Sequence, residues 1–169
     1  MGTFTPPSSE IFVYTYREGV LAAVAHDLRL RFSTFSIQED DHEHVIVATI
    51  EATSLKVVCA RQNGQDAPQV LTDSNKHDIE KNIQTSVLRG AKHPTISVSL
   101  TVRELGACLA SVELCGVRRD IPVQLALDGT TRVARARLHQ PDFGVKPYSA
   151  MLGALRVKPD VDIEVRLPA

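Results

Sequence analysis

Residues 95–102, TISVSLTV, alternate polar and apolar side chains without a break. Ile96, Val98, Leu100 and Val102 share one face, and the serines and threonines between them share the other. Because successive side chains of a β-strand point to opposite faces of a sheet, this period of two predicts a strand with one buried face. The segment therefore indicates a β protein whose strands have an inner and an outer side.

The same alternation occurs in seven other segments, so we predict about eight strands in an all-β fold. The seven are residues 11–16, 28–35, 45–52, 109–116, 119–128, 131–138 and 161–167. Asp128-Gly129 separates two of them and is typical of a tight hairpin turn. Eight antiparallel strands can form a sandwich or a closed barrel, and closure removes exposed strand edges.

Two segments have helical features. Residues 75–88 place Ile79, Ile83 and Val87 four residues apart, after Asp73 or Ser74 as the N-cap. A short helix is expected over residues 19–25. Residues 1–10 are polar and are expected to be flexible. No linker or repeat divides the rest, so we interpret residues 1–169 as one domain.

The composition excludes several functional classes. Hydrophobic residues make up 43% and charged residues 23% of the chain, and the net charge is −1. Nucleic-acid binding is disfavoured, since no basic excess is present to hold phosphates. No apolar run approaches the ~20 residues of a membrane helix. With no secretory signal at the start, we expect a cytoplasmic protein with three reduced cysteines.

Small residues on the apolar faces favour a hollow interior. An eight-stranded barrel is wide enough either to be filled by side chains or to hold one ligand. Alanines at four inward positions leave spare volume, although large residues opposite could fill it. They are Ala48, Ala110, Ala134 and Ala136.

Three groups of polar residues have side chains that could take part in catalysis or binding. His26-Asp27 could be a catalytic dyad, but adjacent strand residues diverge, which favours a local turn role for Asp27. His42 and His44 could bind a metal, but a solvated turn fits the surrounding acidic residues better. Alternate arginines on two strands, Arg29 with Arg31 and Arg135 with Arg137, could hold an anionic head group. A solvated outer face paired with Asp162 and Glu164 is the favoured interpretation.

No catalytic or cofactor-binding motif occurs in the chain. We therefore expect a protein without enzymatic activity, without a cofactor and without a bound metal.

Several segments together resemble the YceI-like family of polyisoprenoid-binding, lipocalin-like barrels. They are IEATSL at 50–55, the helix from Asp78 to Leu88, HPTISVS at 93–99, LCGVRRDIPV at 114–123 and DFGV at 142–145. The resemblance spans residues 11–167. Residues 14–32, YTYREGVLAAVAHDLRLRF, depart from the usual first strand of the family. Members are mostly exported, unlike the expectation for this chain.

The resemblance implies an extended eight-stranded barrel with a long apolar lumen for an isoprenoid or another long-chain amphiphile. We expect a non-enzymatic carrier or sequestering protein; the alternatives are a packed barrel that binds other proteins and a His26-dependent enzyme. Its partner would be a hydrophobic small molecule, and two copies could pair through edge strands or the polar loop 61–69. The expected ligand-binding residues are His26, Leu28, Leu30, Phe32, Ile96, Val98, Leu100, Leu114, Val123, Leu125 and Phe143.

His26 keeps two interpretations at this point. It would hydrogen-bond the ligand's polar head or a residue at the barrel mouth, or it would only satisfy backbone groups at the corner before the strand.

Overall fold

A curled antiparallel sheet dominates the computed structural model, which describes residues 2–20 and 25–169. The first strands are β1 (Gly2–Phe4), β2 (Glu10–Thr15), β3 (Arg17–Glu18), β4 (Asp27–Phe32), β5 (Phe35–Asp40), β6 (Val45–Glu51), β7 (Leu55–Gln62) and β8 (Gln65–Ala67). The later strands are β9 (Thr95–Thr101), β10 (Gly106–Leu114), β11 (Val117–Asp128), β12 (Thr131–His139), β13 (Ser149–Ala150), β14 (Leu155–Val157) and β15 (Asp160–Pro168).

The order of the strands closes the sheet on itself. It runs β1-β5-β6-β9-β10-β11-β12-β15-β2-β4-β7-β8. At the bend, the Ser33 N–H donates to the Ser54 carbonyl and the Glu51 N–H donates to the Thr34 carbonyl. Since β4 leads into β5 and β6 leads into β7, the two ends of the sheet belong to one bent hairpin. This hairpin closes the curled sheet into a barrel.

The expected number of eight strands is wrong, because the main sheet has twelve in the described part of the chain. All eight predicted segments are strands, but residues 28–35 divide at Ser33 and Thr34. The partner strand divides at the 3-10 turn Ala52–Ser54. Short strands β1 and β8 then extend the two edges, and β8 replaces part of the expected loop 61–69. A second sheet, β13-β14-β3, lies beside the first.

The N-terminal segment also departs from expectation. Gly2–Phe4 pairs with β5, with Gly2 opposite Glu39 and Phe4 opposite Ile37. A paired strand therefore replaces flexible backbone at residues 2–4.

The main helix begins earlier than predicted and changes its winding. The α-helix α1 covers Asp73–Asn82, and the chain continues as a π-helix over Ile83–Val87. Thr72, rather than Asp73 or Ser74, is the N-cap, because its hydroxyl accepts the Asn75 N–H in a capping box. The expected short helix at 19–25 falls largely on residues 21–24, which lie outside the described residues.

A carboxylate ties α1 to the barrel. Glu80 Oε1 accepts the Val57 N–H at 2.9 Å, beside a register shift in the pairing of β4 with β7. A bulge leaves backbone groups without ladder partners, and Glu80 satisfies one of them here. The helix is thereby held over one end of the barrel.

Candidate ligand-binding cavity

The barrel encloses a cavity of about 520 Å³. Its wall is almost entirely apolar and includes the four alanines at 48, 110, 134 and 136. Ligand sites commonly measure ~300–1,000 Å³, so the space is sufficient for a small molecule. The small wall residues thus leave a hollow interior.

Ten of the eleven residues expected to bind ligand line this cavity. They are His26, Leu28, Leu30, Phe32, Ile96, Val98, Leu100, Leu114, Val123 and Leu125. Phe143 does not line it. That side chain is 2% exposed and packs in the core after the turn Gln140–Phe143, which ends at the left-handed Gly144.

The helix supplies wall residues that were not assigned to the site from the sequence. Ile79, Ile83 and Val87 line the cavity together with Leu88. Their helical spacing was visible in the sequence and indicated an apolar face, but not which part of the barrel that face covers. Because α1 lies at the end of the barrel that also holds His26, we call this the helix end.

His26 reaches the cavity with a free ring nitrogen. Its Nδ1 is buried and has no hydrogen-bond partner among the described residues. Asp27 turns elsewhere, because its Oδ1 accepts the Arg17 N–H at 2.8 Å. Asp27 is thus directed to the backbone of β3 rather than to the His26 ring, and it begins β4 instead of forming a local turn.

Further polar groups line the helix end. Asn82 Nδ2 lies 3.4 Å from the Tyr148 hydroxyl, and both residues line the cavity. Arg17 donates to the Ala25 carbonyl at 2.6 Å. Apolar walls with a few convergent polar groups are the usual composition of a ligand site.

An ion pair lies at the opposite end of the barrel. Arg132, at the start of β12, donates two hydrogen bonds to the Glu39 carboxylate, at 2.7 and 2.9 Å. The Phe4 ring lies 5.4 Å from the same guanidinium. Since β12 and β5 are not neighbours in the sheet, this contact joins two strands that do not pair with each other. We call this the Arg132 end.

Arg132 was missed in the sequence, although a signal was present. The alternation of Ala134, Ala136 and Leu138 toward the lumen extends back to Arg132. An arginine on the apolar face of a strand indicates a buried partner.

The other strand arginines lie on the outer face, as expected. Arg135 pairs with Glu164 at 3.0 Å, and Arg137 pairs with Asp162 at 2.8 Å. Arg29 pairs with Asp66 and lies 4.2 Å from the centre of the Phe12 ring. These arginines therefore do not present a basic stripe to a ligand in the lumen.

Tyr16 shares a carboxylate with one of these arginines. Its hydroxyl donates to Asp162 at 2.5 Å. Burial, followed by the hydrogen bond to Asp162, raises the pKa of Tyr16 to about 12. The Arg137 guanidinium, with help from the Tyr16 hydroxyl, holds the pKa of Asp162 below its ordinary value. The trio fixes β2 against β15 beside the helix end.

His42 and His44 lie in the exposed turn between β5 and β6. Asp40 Oδ1 accepts the N–H groups of His42 and Glu43, which closes the turn. The interpretation of this cluster as a solvated turn is confirmed.

Cys59, Cys108 and Cys115 are free thiols. Burial raises the pKa of each of them. A protonated thiol is a poor nucleophile, so these side chains act as small apolar groups.

No helix in residues 2–20 or 25–169 is both long enough and apolar enough to cross a membrane.

Comparisons with known proteins agree with this architecture. The family model of the YceI-like domain matches residues 3–169. BcnA of Burkholderia cenocepacia has a similar structure, with a TM-score of 0.60, 13% identity, and coverage of 95% of this chain and 96% of that one. No curated protein shows significant sequence similarity.

Two further structures have the same fold. A polyisoprenoid-binding domain from Saccharophagus degradans has a TM-score of 0.56 and 12% identity, with coverage of 95% of this chain and 94% of that one. A YceI protein of Campylobacter jejuni has a TM-score of 0.57 and 12% identity, with coverage of 84% of each chain.

Proposed function

The chain belongs to the YceI-like family, and from this premise we propose that it is a non-catalytic carrier or sequestering protein for a polyisoprenoid or another long-chain amphiphile. The observation that carries the proposal is the apolar cavity of about 520 Å³ inside the barrel. The similar fold of a polyisoprenoid-binding domain supports the same ligand class.

Apolar burial would supply the affinity. Removing apolar surface from water contributes about 25 cal/mol per Å², before the cost of ordering the ligand is subtracted. A chain of isoprene units offers branched apolar surface along its whole length, which suits walls of leucine, isoleucine, valine and alanine. No charged anchor is required for such a ligand.

The polar groups suggest an orientation for the ligand. Arg132 and Glu39 bind each other and so offer no unpaired charge to a ligand. The polar head would lie at the helix end, near Asn82 and Tyr148, which line the cavity. Here His26 Nδ1, which has no partner in residues 2–20 and 25–169, could form a hydrogen bond with a hydroxyl group.

The absence of activity is part of this proposal. Asp27 is engaged by the Arg17 N–H, so His26 lacks the carboxylate that would orient it as a general base. The cytoplasmic location and the pairing of two copies stay predictions of the sequence alone.

Native mass spectrometry of the purified protein, followed by organic extraction, tests the proposal. We expect a co-purifying apolar molecule, or uptake of one added farnesol per chain. A mass without ligand that stays unchanged after farnesol and a longer prenol are added would contradict the carrier function. It would favour an interaction module instead.

A further inference from the structure

An exposed apolar corner lies beside the helix end of the cavity. Leu152 is fully exposed, Met151 is 69% exposed and Val20 is 88% exposed. Scattered exposed leucines are ordinary on a protein surface, but three large apolar side chains on adjoining loops form a patch. Hereafter we call Val20, Met151 and Leu152 the apolar tip.

Strand pairing brings the two loops of the tip together. Glu18 of β3 pairs with Arg156 of β14. The next residue, Gly19, has φ +101°, and a Cβ atom there would lie 2.6 Å from the Ala154 carbonyl oxygen. Only glycine permits this approach, which places Val20 next to the 151–153 turn.

The turn holds its apolar side chains outward in an unusual conformation. Met151 and Leu152 both have left-handed backbones, with φ of 50° and 55°. Such values are rare for long side chains and mark positions that the surrounding structure enforces. The turn exposes the Met151 and Leu152 side chains to solvent, so core packing does not explain why these two positions are apolar.

The tip adjoins the helix end of the cavity. Leu155 and Val157, from the strand after the turn, line the cavity, as does Tyr148 before it. A ligand that passes through the helix end would therefore pass beside the tip.

Charge near the tip indicates the kind of surface that it meets. The segment 141–158 carries Lys146, Arg156 and Lys158 but a single acidic residue, Asp142, and the segment 17–20 adds Arg17 and Glu18, so basic residues are in excess. Arg156 is shared with Glu18, whose carboxylate lies 3.8 Å away. Apolar side chains flanked by basic ones are the composition that binds an anionic bilayer surface.

We propose that the apolar tip inserts into the surface of a lipid bilayer with anionic head groups and so presents the helix end of the cavity to the membrane. This goes beyond the carrier function and is separable from it, because the tip residues do not line the cavity.

Flotation with phospholipid vesicles tests the proposal. The probes are vesicles of phosphatidylcholine alone and of phosphatidylcholine mixed with phosphatidylglycerol. We expect the protein to float with the mixed vesicles and more weakly with phosphatidylcholine. The variant Met151→Asn/Leu152→Asn should reduce the partition coefficient about tenfold or more, since it removes two apolar anchors. Asparagine tolerates the left-handed backbone, so the turn is kept.

Leu127→Asn is the matched control, because Leu127 is a 54% exposed leucine at the Arg132 end. It should float like the unmodified protein. Absence of flotation, or equal flotation of the double variant, would overturn the proposal, as would a loss confined to Leu127→Asn. A dimer in analytical ultracentrifugation that the double variant dissolves would reassign the tip to a contact between two copies.

Farnesol binding, measured in the same preparations by native mass spectrometry, keeps the two proposals apart. The double variant should retain it. If the double variant loses flotation but still takes up farnesol, membrane insertion by the apolar tip is supported. If the unmodified protein floats but takes up no farnesol, the carrier function is contradicted while membrane insertion by the tip is still supported.

Discussion

Arg132 and Glu39 join β12 to β5, two strands that do not pair in the sheet, by two hydrogen bonds of 2.7 and 2.9 Å. The side chains are 28% and 19% exposed, so the pair is sheltered from solvent. The guanidinium also donates to the Pro168 carbonyl through Nε. One residue thus links three strands at the end where the hairpin of β11 and β12 turns.

Replacing Arg132 by alanine should lower the free energy of unfolding by about 2 kcal/mol, because it leaves the half-buried Glu39 carboxylate without its charged partner. Urea denaturation measures the loss. Arg135→Ala is the control, since Arg135 pairs with Glu164 while 56% exposed, and surface pairs contribute ~1 kcal/mol or less. Equal losses of unfolding free energy in the two variants would show that the Arg132–Glu39 pair stabilises the fold no more than an exposed surface pair does.

Replacing Ala136 by leucine should reduce farnesol affinity at least tenfold without destabilising the fold. Ala136 lines the cavity, so the larger side chain occupies ligand space instead of straining a packed core. Titration calorimetry gives the affinity and thermal unfolding gives the stability. Ala107→Leu, on the exposed outer face of β10, should change neither. If farnesol bound Ala136→Leu as tightly as the unmodified protein, the ligand would lie elsewhere.

His26→Phe should weaken binding of farnesol about fivefold while leaving binding of the hydrocarbon farnesene nearly unchanged. A hydrogen bond between neutral groups contributes ~1 kcal/mol, and only the alcohol can make one with Nδ1. Competition against a bound fluorescent fatty acid compares the two ligands. If His26→Phe weakened binding of farnesol and farnesene equally, His26 would act through apolar packing or through hydrogen bonds to backbone groups before β4.

Because of Tyr16, the free energy of unfolding should depend on pH in the alkaline range. Its folded pKa of about 12 lies above the ordinary value of 10.0, so folding favours the neutral hydroxyl. The corresponding stabilisation is complete below about pH 10 and is lost as the pH rises through about 12.

Urea denaturation from about pH 9 to about pH 12 should therefore show a steeper loss of stability for the unmodified protein than for Tyr16→Phe. Phenolate absorbance provides a second readout, because the chain has three tyrosines and no tryptophan. In Tyr16→Phe the highest-pH step should disappear. Identical pH dependence of both proteins would contradict the role given to the hydrogen bond with Asp162.

The strands with strict alternation were predictable because one face of each meets the lumen and the other meets water. β7, LKVVCARQ, was not predicted, because Val57, Val58 and Cys59 are consecutive apolar residues and a register shift interrupts the pairing there. An alternating sequence pattern identifies only strands with a regular pleat, and a β-bulge interrupts that pattern. The same limit applies to β5, which was missed beyond the bend at Ser33.

Most wall residues of the site followed from the same alternation. Phe143 was assigned to the ligand through the resemblance, yet it packs in the core, because the 3-10 turn gives it no period that fixes a direction. The contributions of Ile79 and Tyr148 depend on where α1 and the small sheet dock. Sequence period reports the face of an element but not its docking position, so these residues required the structure.

The pairing of β2 with β15 has a consequence for how the protein forms. Tyr14 lies opposite Arg29 of β4 on one side and opposite Asp162 of β15 on the other, so the second neighbour of the first long strand becomes available only after nearly the whole chain has been made. Contacts of such high sequence separation make folding slow. Until β15 docks, the future lumen is an open apolar surface, which is the form most prone to aggregation. During biosynthesis the interior is thus the last part of the molecule to be shielded, and a chaperone that covers apolar surface would act at this stage.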